Sequence, residues 1–295
     1  MKCIQFCMIG RIARHAFGLG IAVVLAACSS GPQFSPTLQS AAPGAATPAH
    51  AFARPSALKV IGSGFSLPRS VAVDSSGNVF VADSNNGAIK KVAPDGTITT
   101  IASDLKLPFG ISVDAQDDVF VGCTQMLDGP VREYPPNGPF VKLGKGFYLP
   151  EGVFVDGAGV VYVADTGNNV AKKIVNGQII RIGNVLNSPG GIVADAAGNV
   201  YISNTMSNAV EKVAPDGTIT SVGSGFNHPN GLALDRKGDL FVADTSHNAI
   251  KEVEPNGTIV TVGSGFSGPY GVALDARGRV YVADTYNSRI VRFTP

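Results

Sequence analysis

Six versions of one stretch open at Pro68, Pro108, Pro150, Pro189, Pro229 and Pro269, and they limit what this chain can fold into. The openers stand 40, 42, 39, 40 and 40 residues apart. The clearest copy is PYGVALDARGRVYVADTYNSRI at residues 269–290. A Pro-x-Gly opener leads into a short apolar run closed by Asp. A Gly-containing turn follows, then a second apolar run ending in Ala-Asp-Thr, with Asn soon after. A fixed period near 40 residues marks a repeat architecture, in which each unit buries its apolar surface against its neighbours.

Each repeat divides into four short strands. In the fifth, the strands are Gly231–Asp235, Leu240–Asp244, Ala249–Glu254 and Thr258–Val262. The turns between them are Arg236-Lys237-Gly238-Asp239, Thr245-Ser246-His247-Asn248 and Pro255-Asn256-Gly257. Asn-Gly here, and Pro-Asp-Gly elsewhere, are turn signals because glycine takes positive φ without steric cost. The second strand is apolar at nearly every position, as in Val79-Phe80-Val81-Ala82 and Val280-Tyr281-Val282-Ala283. Such a strand is covered on both faces, whereas plain alternation leaves one face wet. Four-stranded sheets stacked around an axis meet that requirement, so the expected fold is all-β, a six-bladed β-propeller. The content of 36 Gly and 19 Pro, with 15% charged residues, suits a turn-rich β protein. The chain stops at Pro295 after the third strand of the sixth repeat, and residues 58–65 (LKVIGSGF) match residues 259–266 (IVTVGSGF). The N-terminal strand is therefore expected to complete the last blade and close the ring.

Residues 1–27 read as an export signal. Arg11 and Arg14 supply positive charge, and the apolar run Ile21–Ala27 is too short to span a bilayer. Translation could start at Met1 or Met8. Leu25-Ala26-Ala27-Cys28 resembles the lipobox of bacterial lipoproteins. The resemblance implies acylation of Cys28, stable anchoring by several acyl chains and, with Ser29 next, an extracytoplasmic site on the outer membrane. Cleavage after Ala27 to release a soluble protein is the alternative. Residues 28–57 are rich in Ser, Pro, Ala, Gly and Thr and read as a disordered tether with a root-mean-square span of roughly 30 Å. Residues 58–295 are then the propeller. Leaving out residues 1–27, whose Lys2, Arg11 and Arg14 face no acids, turns the formal net charge from +1 to −2. No nucleic-acid partner is expected, since sequence-independent binding needs a concentrated basic surface. Beyond Cys3, Cys7 and Cys28 only Cys123 remains, which cannot form an internal disulfide and reads as a small buried residue.

The pattern Pro-x-Gly-apolar-Ala-apolar-Asp, then Val-Ala-Asp-Thr-x-x-Asn, resembles the NHL repeat family over residues 58–295. Blade 2 fits least: Val121-Gly122-Cys123-Thr124 replaces Val-Ala-Asp-Thr, and Met126–Gly129 carries an insertion. The resemblance implies a ligand- or protein-binding platform. Some relatives bind RNA through a basic face, which this sequence lacks. Similar propellers include an amidating lyase with several histidines on zinc. Here the repeats hold only His228 and His247, short of the usual three protein ligands. Streptogramin-type lyases share the architecture, but no catalytic His can be assigned to the channel mouth. Gluconolactonase-like propellers hold a divalent cation through Glu, Asn and Asp at the openers. Glu151-Gly152 and Asn230-Gly231 match two of these, but Tyr270 stands where Asp is expected.

Strand direction puts the Pro-x-Gly openers, the Asp-Thr-x-Asn turns and the Gly-Ser-Gly-Phe loops on one face, the top. The opener residues Arg69, Phe109, Glu151, Gly190, Asn230 and Tyr270 then ring the channel mouth. Repeated positions serve packing and turns; unlike residues at a convergent mouth can form a ligand site. The candidate ligand-binding residues are Arg69, Phe109, Glu151, Asn230 and Tyr270, with Phe109 and Tyr270 flanking Arg69. Asp83, Asp165, Asp244 and Asp284, with Asn204, are expected to accept backbone N–H bonds in the turn that follows them, and Asp74 and its equivalents to do the same after strand one. The resulting expectation is a membrane-tethered binding or scaffold module for a protein, peptide, glycan or small polar ligand, with no catalytic residue and no cofactor. The alternative is a gluconolactonase-like hydrolase with Ca²⁺ or another divalent cation on Glu151 and Asn230.

Overall fold

The computed structural model describes residues 57–124, 129 and 131–295. The expectations for the export signal, Cys28, nearly all of the tether and most of the blade-2 insertion lie outside these residues. The described residues form six four-stranded antiparallel sheets. Blade 1 runs Pro68–Val73, Val79–Asp83, Ala88–Val92 and Ile98–Ala102. Blades 2 to 5 repeat that order from inner strands Pro108–Val113, Pro150–Val155, Pro189–Ala194 and Pro229–Leu234. Each inner strand starts on the opener proline, two residues earlier than the sequence reading placed it in the fifth repeat.

Blade 6 takes three strands from the C-terminal end, Pro269–Leu274, Val280–Asp284 and Arg289–Phe293, and its outer strand, Lys59–Ser63, from the start of the propeller. That strand pairs antiparallel, with Lys59 opposite Arg292 and Ser63 opposite Arg289. The ring is closed as the internal match of residues 58–65 predicts.

Burial on both faces of strand two has a direct cause. In blade 1, Phe80 and Ala82 pack against blade 2, beside Ile111, Val119 and Val121. Val79 and Val81 point the other way, against Tyr281, Ala283 and Ile290 of blade 6. Six such clusters fill the six gaps between blades. The apolar residue of each top loop plugs a gap, as with Phe65, Phe147, Phe226 and Phe266, all at most 6% exposed.

The aspartates divide by role. Asp74, Asp114, Asp156, Asp195, Asp235 and Asp275 accept backbone N–H groups of the turn four residues on, as expected. Those ending strand two do something else. Their Oδ1 atoms accept from a backbone N–H 17 residues upstream, in the top loop: Ser66 to Asp83, Tyr148 to Asp165, Asn227 to Asp244 and Ser267 to Asp284. Their Oδ2 atoms pair with a cation of strand three, Lys90, Lys172, Lys251 or Arg289. No side chain caps the single 3₁₀ turns that follow Asp165, Asp244 and Asp284. These residues tie the top loop to the blade, which corrects the turn-capping expectation. In blade 4 the pair is reversed in kind, with Asn204 Nδ2 donating to Glu211. His247 serves as Asn86 does in blade 1, its Nδ1 lying 2.8 Å from Asp244 Oδ2.

The Thr after that Asp links neighbouring blades. Thr166, Thr205, Thr245 and Thr285 each donate a hydroxyl proton to the opener proline carbonyl of the next blade, with Thr285 reaching Pro68 across the closure. Blade 2 breaks both rules. Cys123, fully buried, replaces the Asp, and Thr124 turns back to the Leu107 carbonyl. Burial pushes the Cys123 thiol up to about 11, against an opposing pull from Arg132, so it is a packing residue.

Candidate functional site

The inner strands surround a central channel of about 740 Å³, and above it the top loops enclose a basin of about 580 Å³. Arg69, Phe109, Glu151, Asn230 and Tyr270 line both. All five sequence candidates thus stand together at the mouth, one on each of five blades. Gly190 of blade 4 lines the channel.

Arg69 lies over two aromatic faces, 4.8 Å from the Phe109 centroid and 4.3 Å from that of Tyr270. The two rings meet edge to face at 6.0 Å. A guanidinium held against rings loses little further freedom when it binds a planar anion. Tyr286 extends this wall, edge-on to Tyr270 at 6.4 Å. Burial raises the Tyr270 phenol above its ordinary range, with Arg69 pulling the other way.

Glu151 stands half-buried in the channel wall. Burial pushes its carboxyl up to about 7, and Arg69 draws it down. The linkage sign follows. Between about 4.5 and 7 the unfolded chain has released this proton while the folded chain holds it, so this residue makes stability fall as pH rises through that window. Asn230 is 7% exposed, and its side-chain amide makes no hydrogen bond to a described residue. Beside it, a Cβ on Gly190 would lie 2.8 Å from Asn230 Oδ1 and 2.7 Å from Thr205 Oγ1. The missing side chain at Gly190 keeps a slot open between Glu151 and Asn230.

Tyr286 was not among the sequence candidates. The corresponding residues of the other blades are Asn85, Gln125, Gly167, Met206 and Ser246, so an aromatic there was the available signal. As for a metal, one carboxylate and one amide face the mouth together with the guanidinium of Arg69. Among the described residues no group of three His, Cys, Asp or Glu could hold an ion. Ca²⁺ takes six to eight oxygens, and this donor set does not fit it.

The model of the NHL repeat matches residues 65–92, 226–252 and 266–293, which lie in blades 1, 5 and 6. Three of the six blades thus carry NHL repeats. The chain has no match among curated proteins. Solved structures similar to it include a gluconolactonase from Xanthomonas campestris, 16% identical, covering 80% of this chain and 89% of that one, with a TM-score of 0.71. A streptogramin B lyase is 15% identical over 81% of this chain and 98% of its own, with a TM-score of 0.62. An auxiliary nutrient-binding protein from Bacteroides thetaiotaomicron is 14% identical over 78% and 69%, with a TM-score of 0.66. At these identities the likeness is one of fold, and this propeller's chemistry rests on its own mouth.

Proposed function

We propose that the chain is an extracytoplasmic, lipid-anchored binding module whose channel mouth takes a small polar ligand. One observation carries the ligand site: charged and amide heads from three blades converge on an open mouth, where Arg69 makes no ion pair and the Glu151 and Asn230 side chains have no hydrogen-bond partner among the described residues. The test is a thermal-shift screen of small polar compounds. A compound that stabilises the wild type and has no effect on Arg69→Ala supports the mouth; stabilisation that survives in both Arg69→Ala and Glu151→Gln overturns it. The hydrolase alternative has Glu151 and Asn230 in place but sets Arg69 where further oxygen ligands would be needed. Titration with Ca²⁺ is accordingly expected to give no binding heat, and saturable heat abolished by Glu151→Ala would restore the metal reading.

Anchoring rests on the sequence Leu25-Ala26-Ala27-Cys28. Cys28→Ser is expected to move the protein from the membrane fraction to the soluble one. Retention of the variant in the membrane fraction would remove the lipid anchor from this reading.

A further inference from the structure

Arg69, Glu151 and Asn230 belong to blades 1, 3 and 5, so they approach the mouth from alternate blades. The openers between them are Phe109, Gly190 and Tyr270: two aromatic rings and a position without a side chain. Among the described residues Arg69 makes no ion pair, and no group donates a hydrogen bond to the Glu151 carboxylate. Asn230 is 7% exposed, and its amide has no hydrogen-bond partner among the described residues. Three polar heads that face one open mouth with hydrogen-bonding capacity left over mark where a ligand would supply further bonds.

The charges narrow the class. Arg69 and Glu151 feel each other electrostatically yet form no ion pair. A simple anion would match Arg69 and be repelled by ionised Glu151. A simple cation would do the reverse, and a neutral sugar would desolvate both. A molecule carrying both charges a few bonds apart meets both groups at once. Resting on the mouth being the ligand site, we propose that its ligand is a small zwitterion of the α-amino-acid kind. The carboxylate lies on the guanidinium of Arg69, where two parallel N–H bonds can form. The ammonium lies on Glu151, and the Asn230 amide, donor and acceptor both, bonds beside it in the slot left by Gly190.

Calorimetry on the intact propeller with the twenty L-amino acids, each as free zwitterion, tests this. At least one is expected to bind. Its hydroxy-acid analogue, lacking the ammonium, and its decarboxylated amine are each expected to bind at least about tenfold more weakly. Arg69→Gln and Glu151→Gln are expected to weaken it as much while still melting cooperatively. The ammonium needs ionised Glu151, so affinity is expected to rise between about pH 6 and pH 8, with proton release on binding at the lower pH. The Tyr270 phenol, raised by burial, stays neutral over that range. His228, at the basin rim, is the other group to exclude, and His228→Asn is expected to leave the pH profile unchanged. Glu151→Gln is expected to abolish it and to flatten the fall in stability between about pH 4.5 and 7. An analogue with one charge that binds as well as the amino acid, and is still lost in Arg69→Gln, overturns the zwitterion and leaves the mouth standing. Equal amino-acid binding by wild type and both variants overturns the two together. No binding of any amino acid at millimolar concentration overturns the zwitterion alone.

Discussion

A chain beginning at Ser66 is expected to lose cooperative folding, whereas one beginning at Ala57 keeps it. Only about nine residues separate the two starts, but they include the strand that closes the ring. Removing Lys59–Ser63 bares the edge of Arg289–Phe293, where Ile290 and Val291 are fully buried and Phe293 is 2% exposed. Removing Phe65, 5% exposed, empties the plug between blades 1 and 6, whose cluster includes Val79, Val81, Tyr281 and Ile290. Loss of a buried Phe side chain alone costs roughly 3–5 kcal/mol, a large share of the roughly 5–15 kcal/mol that holds a domain together. An unpaired edge next to a bared apolar face also invites pairing between chains. The measurements are a circular-dichroism melt and size-exclusion chromatography. The shorter chain is expected to show a broad or missing transition and high-mass species, with Phe65→Ala intermediate. A sharp transition within about 2 °C of the longer chain's would mean that closure contributes little, since at this size about 1 kcal/mol moves the midpoint by 2–4 °C.

Closure was legible because it is a matter of sequence matching: residues 58–65 repeat residues 259–266, and the last repeat lacks a strand. The mouth was legible in membership for a similar reason. Repetition fixes which positions are equivalent, so the unlike ones stand out. What escaped the sequence are the bonds between equivalent frames. Asp83 and its counterparts reach a backbone N–H 17 residues upstream, and Thr285 reaches Pro68 across the closure. Neither partner is marked by residue type, because any backbone N–H or carbonyl would serve. The unmatched state of Asn230 is likewise a property of its surroundings. Cys123 and Thr124 were visible as departures in blade 2, but their consequence, the loss of that blade's loop tie and of its Thr link to blade 3, needs the geometry.

The glycine of the Pro-x-Gly opener is the strongest example, because its reason is close approach and not turn chemistry. Inner strands of adjacent blades pass so near one another that a Cβ has no room. At Gly110 it would overlap the Glu151 carbonyl oxygen and stand 2.7 Å from Val153 N. At Gly231 it would meet the Tyr270 carbonyl at 2.5 Å, and at Gly271 the Ser70 Cα at 2.7 Å. Gly152 and Gly191 are crowded in the same way by the Gly190 and Asn230 carbonyls. All of these are backbone atoms, so no rotamer change relieves the overlap and a whole strand must move. The non-glycine in this ring, Ser70, meets blade 2 through its hydroxyl, which accepts from the Ile111 N–H at 3.3 Å. Gly110→Ala is therefore expected to cost roughly 3 kcal/mol, the upper end for overpacking, lowering the melting midpoint by about 6–12 °C. Displacement of the Glu151 backbone would also weaken any ligand that the mouth holds. Gly157 supplies the control: it lies in a bottom turn, its φ is not positive, and nothing stands within 4 Å of its would-be Cβ. Gly157→Ala is expected to be neutral or to stabilise by about 0.4–1 kcal/mol through the unfolded chain. Should both variants melt together, the inner strands have slack, and the opener glycines need another explanation.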